Sequence, residues 1–234
     1  MLAKDSMLTI PQQIENDGFA IVPEVLSDAE ISALCTALRL SELPRSRAGI
    51  RHAMKDASVA ALARDPRLLH LAQETLGPRA IPFRATLFDK SPTSNWLVVW
   101  HQDTALPLKE PQEVPGWGPW SVKDGVHYAH APASALVQVL ALRLHLDDSV
   151  AKNGPLRVLP RTQDLGVLSD EQLHELSTKV DAIDCFVPRG GILAMRPLIV
   201  HASSKSQSAA PRRVLHIEYA SSTVIQDGFR LAIA

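Results

Sequence analysis

Cysteine is scarce in this sequence, in which Cys35 and Cys185 are the two examples. Neither belongs to a Cys-x-x-Cys pair or to a zinc-finger spacing, and both have apolar neighbours, so the sequence indicates neither a disulfide framework nor a structural zinc site. Buried, reduced thiols are expected instead. Reduced thiols in turn favour the cytoplasm as the compartment.

Long apolar runs and runs of like charge are missing as well. No stretch has the roughly 20 apolar residues that a membrane-spanning helix needs, and residues 1–6, which include an acid, do not resemble a signal peptide. Lys and Arg number 24 against 25 Asp and Glu, without a basic cluster, so neither nucleic acid nor an anionic membrane is an expected partner. A small-molecule partner is expected, and the oligomeric state stays open.

The length and the order of local signals predict one domain over residues 1–234. Helix signals fall before residue 80, and short apolar runs separated by Gly, Pro and Asn follow. The expected organisation is therefore an N-terminal helical buttress over about 1–80 and a β core over about 81–234. Such an order is typical of a β-sandwich or barrel with flanking helices.

Two helices have clear start signals. Ser27 followed by Glu30 has the form of a capping box, which predicts a helix over about 28–40. Asp65 precedes a proline and an apolar stripe, and Gly77 follows them, so a second helix is expected between these two residues.

The segment 103–134 is rich in proline and glycine and is predicted to be irregular. Such long segments inside a domain are usually functional or disordered. Trp117, Trp120 and Tyr128 favour an ordered lid or pocket wall that contacts the substrate, with simple surface packing of these rings as the alternative.

Four other polar residues, three histidines and a lysine, are candidates for either a functional or a structural role. His127 and His130 are candidates for substrate contact, because imidazole titrates near neutral pH, and the alternative is a structural role in an ordered loop. Lys90 is expected to be a solvated lysine at a turn. His145, inside an apolar run, is expected to be structural.

The chemistry-bearing motif follows the apolar run 96–100. If that run is a strand, His101 and Asp103 project to one side and Gln102 to the other. An imidazole and a carboxylate so placed supply two ligands of the 2-His-1-carboxylate triad that binds non-haem Fe(II). His201, which ends a second apolar run, is the candidate third ligand, because distant strands can meet in a two-sheet core.

Four pieces, in this order, resemble the phytanoyl-CoA dioxygenase family of Fe(II)- and 2-oxoglutarate-dependent oxygenases: residues 17–22, 100–103, 153–160 and 201–213. The resemblance covers nearly the whole chain. It implies a mainly β fold with flanking helices and a double-stranded β-helix (jelly-roll, cupin-like) core. It also implies that His101, Asp103 and His201 hold Fe(II).

The resemblance further implies the reaction. With 2-oxoglutarate and O2 as cosubstrates, such an enzyme hydroxylates an unactivated C–H bond of a small organic substrate and releases succinate and CO2. Halogenating relatives lack the carboxylate ligand, so the presence of Asp103 favours hydroxylation. The substrate, its regiochemistry and the use of a CoA ester are not indicated by the sequence.

The residue that binds the distal carboxylate of 2-oxoglutarate is open between two neighbours. The resemblance points to Arg212, whereas strand alternation places Arg213 on the more apolar face of its strand, which makes Arg213 a rival. Ser203 resembles a hydroxyl that helps to hold the cosubstrate. A departure from the family pattern lies at residues 161–163, where relatives often carry Gly-Ser/Thr-His and this chain has Arg-Thr-Gln.

Two alternatives to an oxygenase remain at this stage. One is a metal- or ligand-binding protein on the same fold that does not turn over. The other is a hydrolase that uses zinc in the His101, Asp103 and His201 set, because three protein ligands with an open position also suit catalytic zinc. The zinc hydrolase would need neither O2 nor 2-oxoglutarate.

Overall fold

The computed structural model describes residues 8–91 and 94–233. The first residues of the chain, on which the prediction about a signal peptide depends, lie outside this part. The α-helices are α1 Ile10–Asp17, α2 Asp28–Leu40, α3 Ala57–Leu62, α4 Pro66–Leu76, α5 Ala133–Leu136 and α6 Asp170–Lys179. The strands are β1 Phe19–Val22, β2 Arg45–Ser46, β3 Gly49–Ile50, β4 Ile81–Lys90, β5 Val98–His101, β6 Ala105–Leu108, β7 Trp120–Lys123, β8 Val126–His130, β9 Val139–His145, β10 Leu156–Leu159, β11 Ile183–Cys185, β12 Ile192–Met195, β13 Val200–Ser203 and β14 Arg212–Ala220.

Two antiparallel sheets form the core. Within the described residues, the larger sheet has the strand order β1-β12-β9-β14-β4-β3-β2, and the smaller sheet has the order β11-β10-β13-β5. From β4 onward, apart from the insertion β6–β8 and the adjacent pair β10 and β11, successive strands alternate between these two sheets, as in a double-stranded β-helix. The predicted fold class is confirmed.

Helices α1–α4 cover the outer face of the larger sheet. Alternate residues of β14, namely Leu215, Ile217 and Tyr219, lie on this face and belong to one buried apolar cluster with residues of α2 and α4. The hydroxyl of Tyr219 donates to the carbonyl oxygen of Ala63 at 2.8 Å. This arrangement leaves the other face of β14 for the space between the sheets.

The helix at 28–40 begins as predicted, because the Ser27 hydroxyl accepts from the Glu30 amide and the Glu30 carboxylate accepts from the Ser27 amide. The region before residue 80 is nevertheless not purely helical. Strand β1 pairs with β12, and β3 pairs with β4, so both extend the larger sheet. Cys35 and Cys185 are buried and free. No helix in the described ranges is both long and apolar enough to cross a membrane.

The prediction of an irregular segment at 103–134 is wrong in part, because residues 109–119 have no regular secondary structure but the stretches on either side do. Strands β6, β8 and β7 form a separate antiparallel sheet there. Asp124 and Gly125 make the two-residue turn between β7 and β8, and both have positive φ, 49° and 80°. An Asp-Gly pair between short strands is a strong hairpin signal, so the sequence contained the cue for this sheet.

Candidate metal centre

Three side chains converge where the smaller sheet faces the interior. His101 at the end of β5 lies directly opposite His201 of β13 in the strand register, and the two ring centres are 4.2 Å apart. Asp103 follows two residues after His101, and its two oxygens lie 3.7 Å from His101 Nε2 and 3.6 Å from His201 Nε2. These three ligand atoms all lie within 4.8 Å of one another.

The protonation of the two imidazoles suits metal binding. Nδ1 of His101 is 2.9 Å from the carbonyl oxygen of Val99, and Nδ1 of His201 is 2.9 Å from that of Ile199. A carbonyl oxygen only accepts, so each Nδ1 carries the proton and each Nε2 presents its lone pair. The carboxylate–imidazole distances of 3.6 and 3.7 Å are shorter than the roughly 4.2 Å that two ligands at about 2.1 Å from one metal can span. The donor set therefore fits a divalent metal such as Fe(II).

Electrostatics favour the same protonation states. Burial lowers the pKa of His201 to about 4, so this imidazole is neutral at pH 7. Burial alone would raise the pKa of Asp103, but three surrounding imidazoles and one guanidinium lower it, and the lowering prevails. A neutral imidazole and an ionised carboxylate are the forms that coordinate a metal.

Residues next to the ligands hold the backbone that carries them. The Gln102 side chain points away, as predicted, and its amide donates to the carbonyl oxygens of Leu198 and Gly166 at 2.7 and 2.9 Å. The Thr162 hydroxyl accepts from the Val200 amide at 2.9 Å, one residue before His201. Thr162 belongs to the stretch that departs from the family pattern, and its role is thus to fix the start of β13.

A cavity of about 280 Å³ lies between the sheets beside the three ligands. Arg212 lines this cavity and is buried, with its Nε donating to the Asn153 carbonyl oxygen at 3.2 Å. Arg213 points to the other face of β14, where it makes a two-pronged pair with Asp147 at 2.8 and 2.7 Å. Of the two candidates, Arg212 alone reaches the cavity. The apolar face of β14, which made Arg213 a rival, faces the helices.

The Asn153-Gly154 pair explains how Arg212 is held. Besides presenting its carbonyl oxygen to Arg212, Asn153 accepts from the Val150 amide through its side chain at 2.9 Å. Gly154 has a φ of 66°, and a Cβ there would come within 2.3 Å of the Ser204 carbonyl oxygen. The backbone after β13 therefore packs against this turn at a distance that only glycine permits.

Lys90 is buried, which the sequence analysis did not anticipate. It lies at the end of β4 directly opposite Arg212, and its ammonium donates to the Ser203 hydroxyl at 3.0 Å and to the Ser204 carbonyl oxygen at 2.7 Å. Burial, with Arg212 and Arg143 nearby, lowers the pKa of Lys90 to about 8. Ser203 itself lines the cavity. The Lys90 ammonium is therefore a second buried cation, next to Arg212, in contact with a predicted cosubstrate residue.

The buried Lys90 makes a testable pH signature. Because its pKa is about 8 when folded and 10.5 ordinarily, the unfolded chain binds one more proton between these values. The free energy of unfolding should therefore rise with pH across this window, by on the order of 2 kcal/mol relative to Lys90→Met. Urea unfolding of both proteins at several pH values measures this difference. Lys179→Met, at the exposed end of α6, controls for the loss of a lysine. If the difference in unfolding free energy between wild type and Lys90→Met did not change with pH, the lowered pKa of Lys90 would be contradicted.

The remaining inner face of the larger sheet is unexpectedly polar. Arg84 and Glu218 form a buried ion pair, with Arg84 Nη2 2.6 Å from Glu218 Oε1. Burial raises the pKa of Glu218 despite this partner. His216 lies between Glu218 and Arg143, with its Nδ1 2.9 Å from Arg143 Nη1, and burial places the pKa of His216 well below its ordinary value. The sequence analysis missed all four of these side chains, although alternation along β14 could have indicated two of them.

The four predicted substrate-binding residues lie elsewhere. Trp117 packs on Phe229 with ring centres 4.2 Å apart, and Trp120 contacts the same ring. His127 pairs within the three-stranded sheet, and His130 Nδ1 is 2.6 Å from the Thr104 hydroxyl. None of the four is among the described residues that line the cavity, so their position gives no support to a role in binding substrate there.

Comparisons with known proteins agree with this fold. Residues 14–214 match the model of the phytanoyl-CoA dioxygenase family. The chain is 26% identical over 241 residues to L-proline trans-4-hydroxylase of Streptomyces griseoviridis, covering 87% of this chain and 82% of that protein. The epimerase SnoN, solved with Fe3+ and alpha ketoglutarate, superposes with a TM-score of 0.72 at 17% identity, covering 92% and 83% of the two chains. EctD from S. alaskensis, solved with 2-oxoglutarate and 5-hydroxyectoine, gives a TM-score of 0.68 at 18% identity, covering 94% and 78%.

Proposed function

The chain belongs to the phytanoyl-CoA dioxygenase family, and from this premise we propose that it is an Fe(II)- and 2-oxoglutarate-dependent dioxygenase that hydroxylates an unactivated C–H bond of a small organic substrate. The observation that carries this proposal is the convergence of His101, Asp103 and His201 at a cavity that also contains Arg212. A zinc hydrolase would leave that arginine without a task.

Each residue of the site has a distinct role in this proposal. His101, Asp103 and His201 would hold Fe(II) through two imidazole nitrogens and a carboxylate. Arg212, which is buried and free of any carboxylate partner among the described residues, binds the distal carboxylate of 2-oxoglutarate with two parallel hydrogen bonds. The Ser203 hydroxyl, which accepts from Lys90, is positioned to donate its own proton to the cosubstrate.

Bound Fe(II) supplies the oxidising chemistry, in which 2-oxoglutarate and O2 give succinate, CO2 and a hydroxylated product. The protein orients the reactants and keeps water away. Phe88, Trp96 and Leu156 contribute apolar walls to the cavity, and His201 and Arg212 are almost fully buried. These walls strengthen the contact between Arg212 and its carboxylate, because the local dielectric constant is low.

The cavity volume of about 280 Å³ favours a small substrate. L-Proline is the first compound to test, since one relative is named as a proline hydroxylase. We further propose that residues 1–234 act as one oxygenase domain and that the enzyme works in the cytoplasm, where its two free, buried thiols would stay reduced.

The proposal is tested by adding Fe(II) and then 2-oxoglutarate to the metal-free protein without oxygen. A visible metal-to-ligand charge-transfer band should form, and admission of O2 with a substrate should then yield succinate. A band with no succinate for any substrate would favour a binding protein that does not turn over. Tight Zn²⁺ binding with no band would refute the oxygenase, and hydrolytic activity without O2 would identify the zinc alternative.

A further inference from the structure

A second guanidinium, that of Arg143, lies in the cavity without a carboxylate partner among the described residues. Arg143 is on β9 and is 7% exposed. Its Nη1 meets Nδ1 of His216 at 2.9 Å, and its guanidinium carbon is 5.5 Å from the centre of the Phe88 ring. Its Nε has no hydrogen-bond partner in this part of the chain. That Nε is enclosed, but Arg143 lines the cavity and its Nη2 makes no hydrogen bond among the described residues, so this nitrogen is the donor that a ligand in the cavity can use.

Each of the other arginines that line the cavity has a partner or a proposed ligand. Arg84 pairs with Glu218 and Arg51 with Asp124, and Arg212 is assigned to 2-oxoglutarate. Fe(II), Asp103, the 2-oxoglutarate dianion and the Arg212 guanidinium would together carry no net charge. The charge of Arg143 is then left over, and Lys90 behind Ser203 adds to this positive excess.

A buried guanidinium that no carboxylate contacts directly is costly, because the charge has left water without forming an ion pair. A buried guanidinium of this kind is most readily tolerated where a bound anion supplies the missing ion pair. The planar fork of a guanidinium matches the two oxygens of a carboxylate. Because Arg143 lines the same cavity as His101, Asp103 and His201, its ligand would lie beside the metal centre.

We propose that Arg143 binds a carboxylate group of the primary substrate, so that the substrate is a small carboxylic acid or amino acid. This inference rests on the proposed function, because it assumes that Arg212 takes the distal carboxylate of 2-oxoglutarate. A carboxylate could also come from the cosubstrate itself, through the end that approaches the metal. The two sources differ in what replacement of Arg143 does to 2-oxoglutarate binding.

The test uses the full chain with Fe(II) and 2-oxoglutarate under anaerobic conditions, so that binding is measured without turnover. The probes are L-proline, the other common amino acids and simple carboxylic acids, each compared with its neutral amide. Binding is followed as a rise in the unfolding temperature and as a change in the charge-transfer band. At least one acid should bind the wild type, and its amide should not.

Arg143→Gln should weaken binding of that acid about thirtyfold or more while its affinity for 2-oxoglutarate stays within about twofold. The retained band shows that this variant has folded. Arg143→Lys, which keeps the charge but loses the fork, should fall between wild type and Arg143→Gln.

Three results would overturn the inference. The first is that no acid of the panel binds better than its amide. The second is that an acid binds Arg143→Gln as tightly as it binds the wild type, or that its binding is weakened by Arg51→Gln and not by Arg143→Gln. The third is that Arg143→Gln weakens 2-oxoglutarate itself, which would assign Arg143 to the cosubstrate. Absence of the band in the wild type would be a separate failure, that of the proposed function.

Discussion

Replacing His201 with alanine is expected to abolish 2-oxoglutarate turnover and to weaken Fe(II) binding by on the order of a hundredfold or more. His201 is one of three ligands, and structural metal sites bind with about 10 kcal/mol or more, so each ligand accounts for roughly 3 kcal/mol. The loss should be visible in two measurements: the anaerobic charge-transfer titration, and succinate release in the presence of O2.

Two further variants separate a lost ligand from a lost fold. His101→Ala removes the partly exposed ligand opposite His201 and should give the same loss of metal with less disturbance of the core. His174→Ala removes an exposed imidazole on α6 and should bind Fe(II) like the wild type. Unchanged Fe(II) affinity in both His101→Ala and His201→Ala would show that the metal lies elsewhere.

The metal ligands could be proposed from sequence because their signals are local. Strand alternation, extended just past the end of β5, predicts that His101 and Asp103 share one side, and a second short apolar run leads directly to His201. The capping box at Ser27 is local in the same sense, because its two partners are three residues apart. The family resemblance then supplied what alternation cannot, namely that these two distant strands are neighbours.

The polar inner face could not be predicted in this way. Periodicity divides β14 into two faces but does not say which one looks into the cavity. The apolar residues Leu215 and Ile217 suggested an interior, and they are indeed buried, but against helices on the outside of the sheet. The burial of Lys90 is equally invisible to local pattern, because it depends on contacts with Ser203 and Ser204, more than a hundred residues away.

Arg212 and Arg213 are adjacent arginines on opposite faces of β14, so substitutions of the two form a matched pair. Arg212→Gln is expected to raise the dissociation constant of 2-oxoglutarate by about thirtyfold or more, because truncating one partner of a buried, hydrogen-bonded charge pair costs about 2 kcal/mol or more. The guanidinium stays charged at neutral pH although burial, with Arg143 nearby, lowers its pKa to about 10. The anaerobic titration with Fe(II) present measures this constant.

Arg213→Gln should behave in the opposite way. It removes the pair with Asp147 on the helix side of the sheet, so the free energy of unfolding should fall by about 1 kcal/mol, as for a partly exposed ion pair, while 2-oxoglutarate binds within about twofold of wild type. Because the two variants remove the same group from neighbouring positions, a general loss of positive charge would affect both equally. If Arg213→Gln lost 2-oxoglutarate and Arg212→Gln kept it, the cosubstrate would lie outside the cavity that holds His101, Asp103 and His201, and the proposed chemistry would lose its geometry.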